Sequence, residues 1–132
     1  MESLQSFLHP KRKENKKFIL SDAFLDEKGN PIQWEMRQLS ASEGMELQPQ
    51  FEGKNYTEIM VVYLVNSLVY PNFKDRELLD ALSKREGRPV LSAAEALKLT
   101  TTDAELAKLI AVYTDYNSLT TNFEAEVQEV KN

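Results

Sequence analysis

The sequence predicts a mainly helical α+β fold in which an N-terminal β-hairpin packs on a small bundle of four to six helices. Apolar residues between positions 18 and 36 recur with a period of two, which indicates strands, whereas those between 55 and 117 recur with helical spacing. Five times a Ser, Thr or Asn stands three residues before a Glu, which is the capping-box pattern of a helix start. These pairs are Ser40/Glu43, Asn55/Glu58, Ser92/Glu95, Thr102/Glu105 and Thr121/Glu124.

The length of 132 residues fits one domain, and a chain of this size buries about two-thirds of its unfolded surface without disulfides or metals. Cys is absent, which excludes disulfides, thiolate metal ligands and a Cys nucleophile. The expected organisation is a single domain made of an N-terminal arm with a basic linker (1–16), a hairpin (17–39), a helical core (40–117) and an acidic C-terminal segment (118–132).

The predicted hairpin has one apolar face and one polar face. A turn-rich stretch from Asp26 to Pro31 separates its two strands, and we expect Trp34 to anchor the inner face as a cross-strand contact. A lone hairpin is marginally stable in water, so this face must pack on helices. The inner residues are Phe18, Leu20, Phe24, Ile32, Trp34 and Met36, and the polar face is Gln33, Glu35 and Arg37.

The strongest core element is a helix capped by Asn55, with Glu58 completing the box, because residues 59–65 are apolar all round. It should run from Tyr56 to Val69, which is too long for a typical strand. Tyr63 and Leu64 lie at its centre. The other expected helices follow Ser40 and end near Pro49, begin around Asp75 and end at Gly87, run from 93 to 99, and run from 103 to about 117.

Both ends of the chain carry short amphipathic segments. Leu4, Phe7 and Leu8 have helical spacing before Pro10, and Phe123, Val127 and Val130 have it opposite Glu124, Glu126 and Glu129. Such short helices need outside support. The N-terminal segment should dock on its own domain or on another subunit, and the C-terminal segment should fray.

Residues suited to catalysis are scarce. The single histidine, His9, should be an exposed spectator, and no Gly-rich phosphate loop, GxSxG, HExxH or EF-hand pattern occurs. We therefore expect no catalytic, cofactor-binding or metal-binding residues and no enzymatic activity. The longest apolar run is too short to span a bilayer, and no signal peptide is evident, so we expect a soluble cytoplasmic protein without a membrane partner.

The charge distribution bears on nucleic-acid binding. The net charge of −5 disfavours a duplex partner, because phosphate affinity depends on cations. The basic residues nevertheless crowd into 11–17, which we interpret as a solvated linker, with a nucleic-acid arm as the alternative. They are Lys11, Arg12, Lys13, Lys16 and Lys17.

The stretch Tyr70-Pro71-Asn72-Phe73 places two large rings around a helix-breaking proline. Regular packing must lapse there. The rings either plug the corner between two helices or offer a surface to a partner.

Three stretches together resemble the tail assembly chaperones of long-tailed phages, in particular the XkdN-like type carried by Gram-positive prophages. They are Val69 to Asp80, with its YP-aromatic-x-D-x-x-L core, the hairpin from Asp26 to Trp34, and Leu4 to Leu8. The resemblance spans residues 3 to about 120 and weakens after Asp80, most of all from Gly87 to Thr102.

This resemblance implies a small, mostly helical, non-enzymatic protein that binds the phage tape measure protein, keeps it soluble and helps recruit tail tube subunits. It would act in the host cytoplasm, be absent from the mature virion and self-associate weakly. The candidate partner-binding residues are Leu4, Phe7, Leu8, Tyr70, Phe73, Phe123 and Val127. A generic prophage-encoded adaptor remains the main alternative, ahead of a nucleic-acid-binding regulator using 11–17.

Overall fold

The computed structural model describes residues 3–119, which form six α-helices and a three-stranded antiparallel sheet. This confirms the predicted α+β class, with a hairpin packed on helices. In chain order the elements are α1 (Leu4–Leu8), β1 (Lys16–Ile19), β2 (Gln33–Met36), α2 (Ala41–Leu47), a 3-10 turn (Gln48–Phe51), α3 (Tyr56–Ser67), β3 (Leu68–Tyr70), α4 (Arg76–Glu86), α5 (Ala93–Thr100) and α6 (Asp103–Tyr116).

The hairpin joins β1 to β2 through a long connection closed by a turn at Asp26. The Asp26 carboxylate accepts hydrogen bonds from the amides of Lys28 and Asn30 at 2.8 and 2.9 Å. Gly29 adopts a φ of 83°, a left-handed conformation that other residues rarely take. In the resulting register Phe18 lies opposite Trp34, so both rings are on the inner face.

The third strand was not predicted. The expected helix from Tyr56 to Val69 ends at Ser67, and Leu68–Tyr70 instead pairs antiparallel with β2. The helix ends early because the backbone of Leu68 is extended, with φ −70° and ψ 120°. Its strand pairs with residues more than thirty positions away in the sequence. Local spacing carries no signal of such a long-range pairing.

The core lies between the inner face of the sheet and the helices. Trp34 is 1% exposed, and its ring centroid lies 5.2 Å from that of Phe24 and 6.0 Å from that of Phe73. The helix α3 packs against α2, α5 and α6, which matches its prediction as the central helix. Leu64 is fully buried at its middle, and Tyr63 is half-buried against the ring of Tyr113.

The predicted helix starts are confirmed for the four pairs inside the described residues, although only two form complete capping boxes. Ser40/Glu43 and Thr102/Glu105 exchange both hydrogen bonds. At Asn55 and Ser92 the side chain accepts a hydrogen bond from the N3 amide, but the cap amide does not donate to the Glu carboxylate in return, so Glu58 does not complete its box. The fifth pair, Thr121/Glu124, lies outside the described residues.

Candidate partner-binding surface

The first candidate surface is α1, whose apolar side chains are exposed. Phe7 is 78% exposed, Leu4 and Leu8 are each about half exposed, and the helix has no buried residue. No side chain caps its start at Ser3. Of the two predicted alternatives, residues 3–119 do not show α1 docked on its own domain, because its apolar side chains are exposed.

At the corner after β3, one of the two aromatic rings is exposed and the other is buried. Tyr70 is 53% exposed and reaches solvent, whereas Phe73 is 1% exposed and packs against Trp34. Phe73 therefore plugs the core and is removed from the candidate contact surface. The chain turns here because the Asn72 side chain and carbonyl accept hydrogen bonds from the amides of Lys74 and Asp75, at 3.0 and 3.1 Å.

Tyr70 lies on the outer face of the sheet. Its Cα pairs with Glu35, which in turn lies opposite Lys17 on β1. Two further apolar residues near this face are almost half exposed, Ile19 at the end of β1 and Val69 at the irregular point of β3. Sequence reasoning missed both; the available signal was that Ile19 has the opposite parity to the inner residue Phe18.

The remaining candidates, Phe123 and Val127, lie outside the described residues. Their assignment as partner contacts stays a prediction from helical spacing.

The basic segment is not a purely solvated linker, because its middle is attached to the end of α6. The Lys13 ammonium donates to the carbonyl oxygens of Tyr116 and Ser118 at 2.8 and 3.2 Å. The Tyr116 hydroxyl donates to the carbonyl of Glu14 at 2.7 Å. A cation at a helix C-terminus also compensates the helix dipole. We call this set of contacts between 13–14 and 116–118 the clasp.

Two carboxylates with lowered pKa values, Glu43 and Glu105, accept hydrogen bonds at helix starts and in tertiary contacts. The Arg37 guanidinium donates to both oxygens of Glu43, and this contact, followed by the bond from the Ser40 amide, lowers the pKa of Glu43 to about 2. The Ser21 hydroxyl donates to Glu105, and this bond is the main cause that lowers the pKa of Glu105 below its usual value. Each pKa shift is explained by hydrogen-bond donors within the fold.

The part of the chain that the structure describes lacks two features of other protein classes. Between residues 3 and 119 no three His, Cys, Asp or Glu side chains are grouped so that they could hold a metal ion. Nor does that part of the chain contain a helix with the length and hydropathy needed to cross a membrane.

Fold and surface thus define a small α+β protein that exposes apolar groups at its N-terminal helix and at one sheet face. The family profile described as phage XkdN-like tail assembly chaperone protein, TAC, matches residues 4–131. The chain therefore belongs to the XkdN-like family of phage tail assembly chaperones, as the resemblance implied, and this family is not a known enzyme class.

Comparison with solved structures identifies the same fold in a distant protein. The crystal structure of the protein yqbn superposes with a TM-score of 0.69 at 19% sequence identity, covering 86% of this chain and 94% of that one. No curated protein matches the sequence.

Proposed function

We propose that this chain binds a phage tape measure protein, keeps it soluble during tail assembly and helps bring tail tube subunits onto it. The family match over residues 4–131 is the observation that carries the proposal. It places the protein in tail assembly, where its partners are proteins, and the exposed apolar residues of α1 and the sheet offer places for such partners to bind.

The physical requirement fits these features. A tape measure protein is expected to be a very long helix with exposed apolar stripes, which would aggregate without cover. A small chaperone can shield such a stripe through contacts at i, i+3, i+4 and i+7. The spacing of Leu4, Phe7 and Leu8 presents apolar side chains of this kind, and Tyr70 adds an amphipathic ring.

Modest affinity for each copy suits the task. Many copies along one long partner gain by avidity, whereas each copy must leave when tube subunits arrive. Weak self-association between copies on the same helix is consistent with this arrangement. The chain would act in the host cytoplasm and be absent from the finished virion.

Co-expression with the cognate tape measure protein tests the proposal. The chain should keep the tape measure protein in the soluble fraction, and Tyr70→Ala should reduce that fraction while the domain stays folded. Tyr56→Ala is the matched control, because Tyr56 is also exposed, at 66%, but lies at the start of α3 away from the sheet. Replacing Leu4, Phe7 and Leu8 together by Ser tests α1 in the same assay.

Phe73→Ala is unsuitable as a surface variant. Truncating a buried Phe costs about 3–5 kcal/mol of stability, so it would confuse unfolding with lost binding. A tape measure protein that is equally soluble without this chain would contradict the chaperone proposal. Unchanged solubility with a folded Tyr70→Ala variant would contradict only the role of the sheet face.

The adaptor alternative separates from the chaperone by gene order. A tail assembly chaperone gene is expected between the genes for the tube protein and for an unusually long tape measure protein. A different neighbourhood would favour the adaptor.

A further inference from the structure

A groove of about 680 Å³ lies where the basic segment, the start of α2 and the end of α6 meet. It is open to solvent, and its walls combine cations with apolar side chains. The residues that bear on its ligand are Arg12, Lys13, Arg37, Leu39, Asn117 and Leu119.

The groove is positively charged, and one of its cations is unpaired within the described residues. Lys13 donates to backbone carbonyls, and Arg37 forms an ion pair with Glu43 at 2.7 Å. Arg12 is exposed and has no hydrogen bond or ion pair with any residue between 3 and 119. The one carboxylate in the wall, Glu43, is already engaged by Arg37 through both oxygens. Arg12 is therefore the cation of this wall that no described residue engages and that an anionic ligand could bind.

The chain itself supplies an anionic segment at this place. Leu119, the last described residue, lines the groove, and the bond from Lys13 to the Ser118 carbonyl holds the preceding residue beside it. The described part of the chain therefore ends beside the groove. A chain spans at most about 3.3–3.6 Å per residue, so Phe123 and Glu124 are within reach of the groove walls.

The sequence of residues 120–132 complements the groove in charge and in polarity. It carries three carboxylates, Glu124, Glu126 and Glu129, against one cation, Lys131. Its apolar residues Phe123, Val127 and Val130 match in character the apolar wall formed by Leu39 and Leu119.

We propose that residues 120–132 bind in this groove of their own chain, with carboxylates near Arg12 and apolar residues against Leu39 and Leu119. These residues lie outside the described part of the chain, so the proposal depends on the groove, on its charges and on the sequence of the segment.

Paramagnetic NMR on the full chain tests the proposal directly. Since the sequence has no Cys, Gln128→Cys provides a unique site for a nitroxide label. The label should broaden the amide signals of Gln38, Leu39 and Asn117 and leave those of α4 sharp. The broadening should persist when the labelled, isotope-enriched chain is diluted with unlabelled chain, because the contact is intramolecular.

Charge variants sharpen the test. Arg12→Glu should reduce the broadening at the groove, and replacing Glu124, Glu126 and Glu129 together by Gln should do the same. Lys28→Glu is the matched control, because it makes the same charge change in the exposed hairpin turn and should have no effect. The amide spectrum of each variant reports whether its domain is folded.

Two outcomes would overturn the proposal. Broadening that appears only on a second, separately enriched chain would assign the groove to another copy, and uniform or absent broadening would mean that the segment does not bind there. Either result leaves tape measure solubility untouched, so failure here is distinct from failure of the chaperone function.

Discussion

Glu43 and Glu95 occupy the same position of the same motif, but their side chains have different partners. The Glu43 carboxylate accepts a hydrogen bond from the Ser40 amide at 2.9 Å and also accepts from the Arg37 guanidinium. Glu95 instead binds the Arg88 guanidinium, from the loop before α5. A capping-box pattern therefore predicts where a helix begins, but it does not predict whether the Glu carboxylate binds the cap amide or a nearby cation. At Glu43 the Ser40 amide and the Arg37 guanidinium both donate to the same carboxylate.

The acidic pKa of Glu43 gives a prediction at this scale. Arg37→Ala should raise the Glu43 pKa from about 2 towards the ordinary 4.5, and only part of the way, because the Ser40 amide still favours the carboxylate. Carbon-detected NMR titration of the side-chain carboxyl measures this directly. Arg76→Ala, which removes an exposed Arg on α4, should leave the Glu43 titration unchanged.

The sign of the linked stability follows from the lowered pKa. Since the folded-state value lies below the unfolded one, Glu43 stabilises the fold above pH 4.5, and this contribution is lost as the pH falls towards 2. The Arg37→Ala protein should lose less stability over that interval than the unaltered chain. An equal loss in both proteins would mean that the ion pair does not set the pKa.

Among the elements, the end of α6 has a structural role that its sequence does not announce. Tyr116 lies on the apolar stripe of the helix and is 6% exposed, as a core residue should be. Its hydroxyl nevertheless donates to the carbonyl of Glu14, 102 positions earlier, while the Lys13 ammonium donates to the carbonyl of Tyr116, the last residue of α6. The clasp therefore fixes the basic segment beside the end of α6.

Tyr116→Phe tests the clasp. Loss of one neutral hydrogen bond should lower the free energy of unfolding by about 0.5–1.5 kcal/mol and accelerate hydrogen exchange in residues 14–17. Tyr56→Phe removes a hydroxyl from an exposed Tyr and should change neither quantity. Urea unfolding and amide exchange provide the measurements. Equal effects of the two substitutions would show that the clasp does not hold the segment in solution.

Element type and position were predictable wherever the signal is local. Helical spacing and caps predicted the starts of α2 to α6, and the two-residue period identified the inner face with Trp34. The third strand, the clasp and the burial of Phe73 were not predictable, because each depends on residues distant in sequence. Sequence spacing alone does not distinguish Tyr70 from Phe73, whereas the structure places the first ring at the surface and the second in the core.

On the scale of the whole molecule, polar contacts join the sheet side to the helical side next to the shared core. The Lys108 ammonium on α6 donates to the carbonyls of Ile19 and Leu20 at 3.0 and 2.6 Å, just where β1 ends. The Ser21 hydroxyl donates to Glu105, one turn earlier on the same helix. Together with the contact between Trp34 and Phe73, these bonds make separate unfolding of the sheet costly.

The sheet and the helices should therefore unfold in one transition, as the expected single domain requires. Trp34 is the only Trp and lies buried on β2, so its fluorescence reports the sheet, while far-UV circular dichroism reports the helices. The two thermal curves should coincide.

Lys108→Met retains the apolar stem but removes the ammonium, so it should shift both curves to lower temperature together, by an amount corresponding to about 1 kcal/mol. Lys98→Met, which changes an exposed Lys on α5, is the control and should shift neither curve. If the contacts to α6 hold the sheet and the helices together, both must unfold at the same temperature. A Trp34 transition that precedes the loss of helix would therefore show that the sheet unfolds as an independent unit.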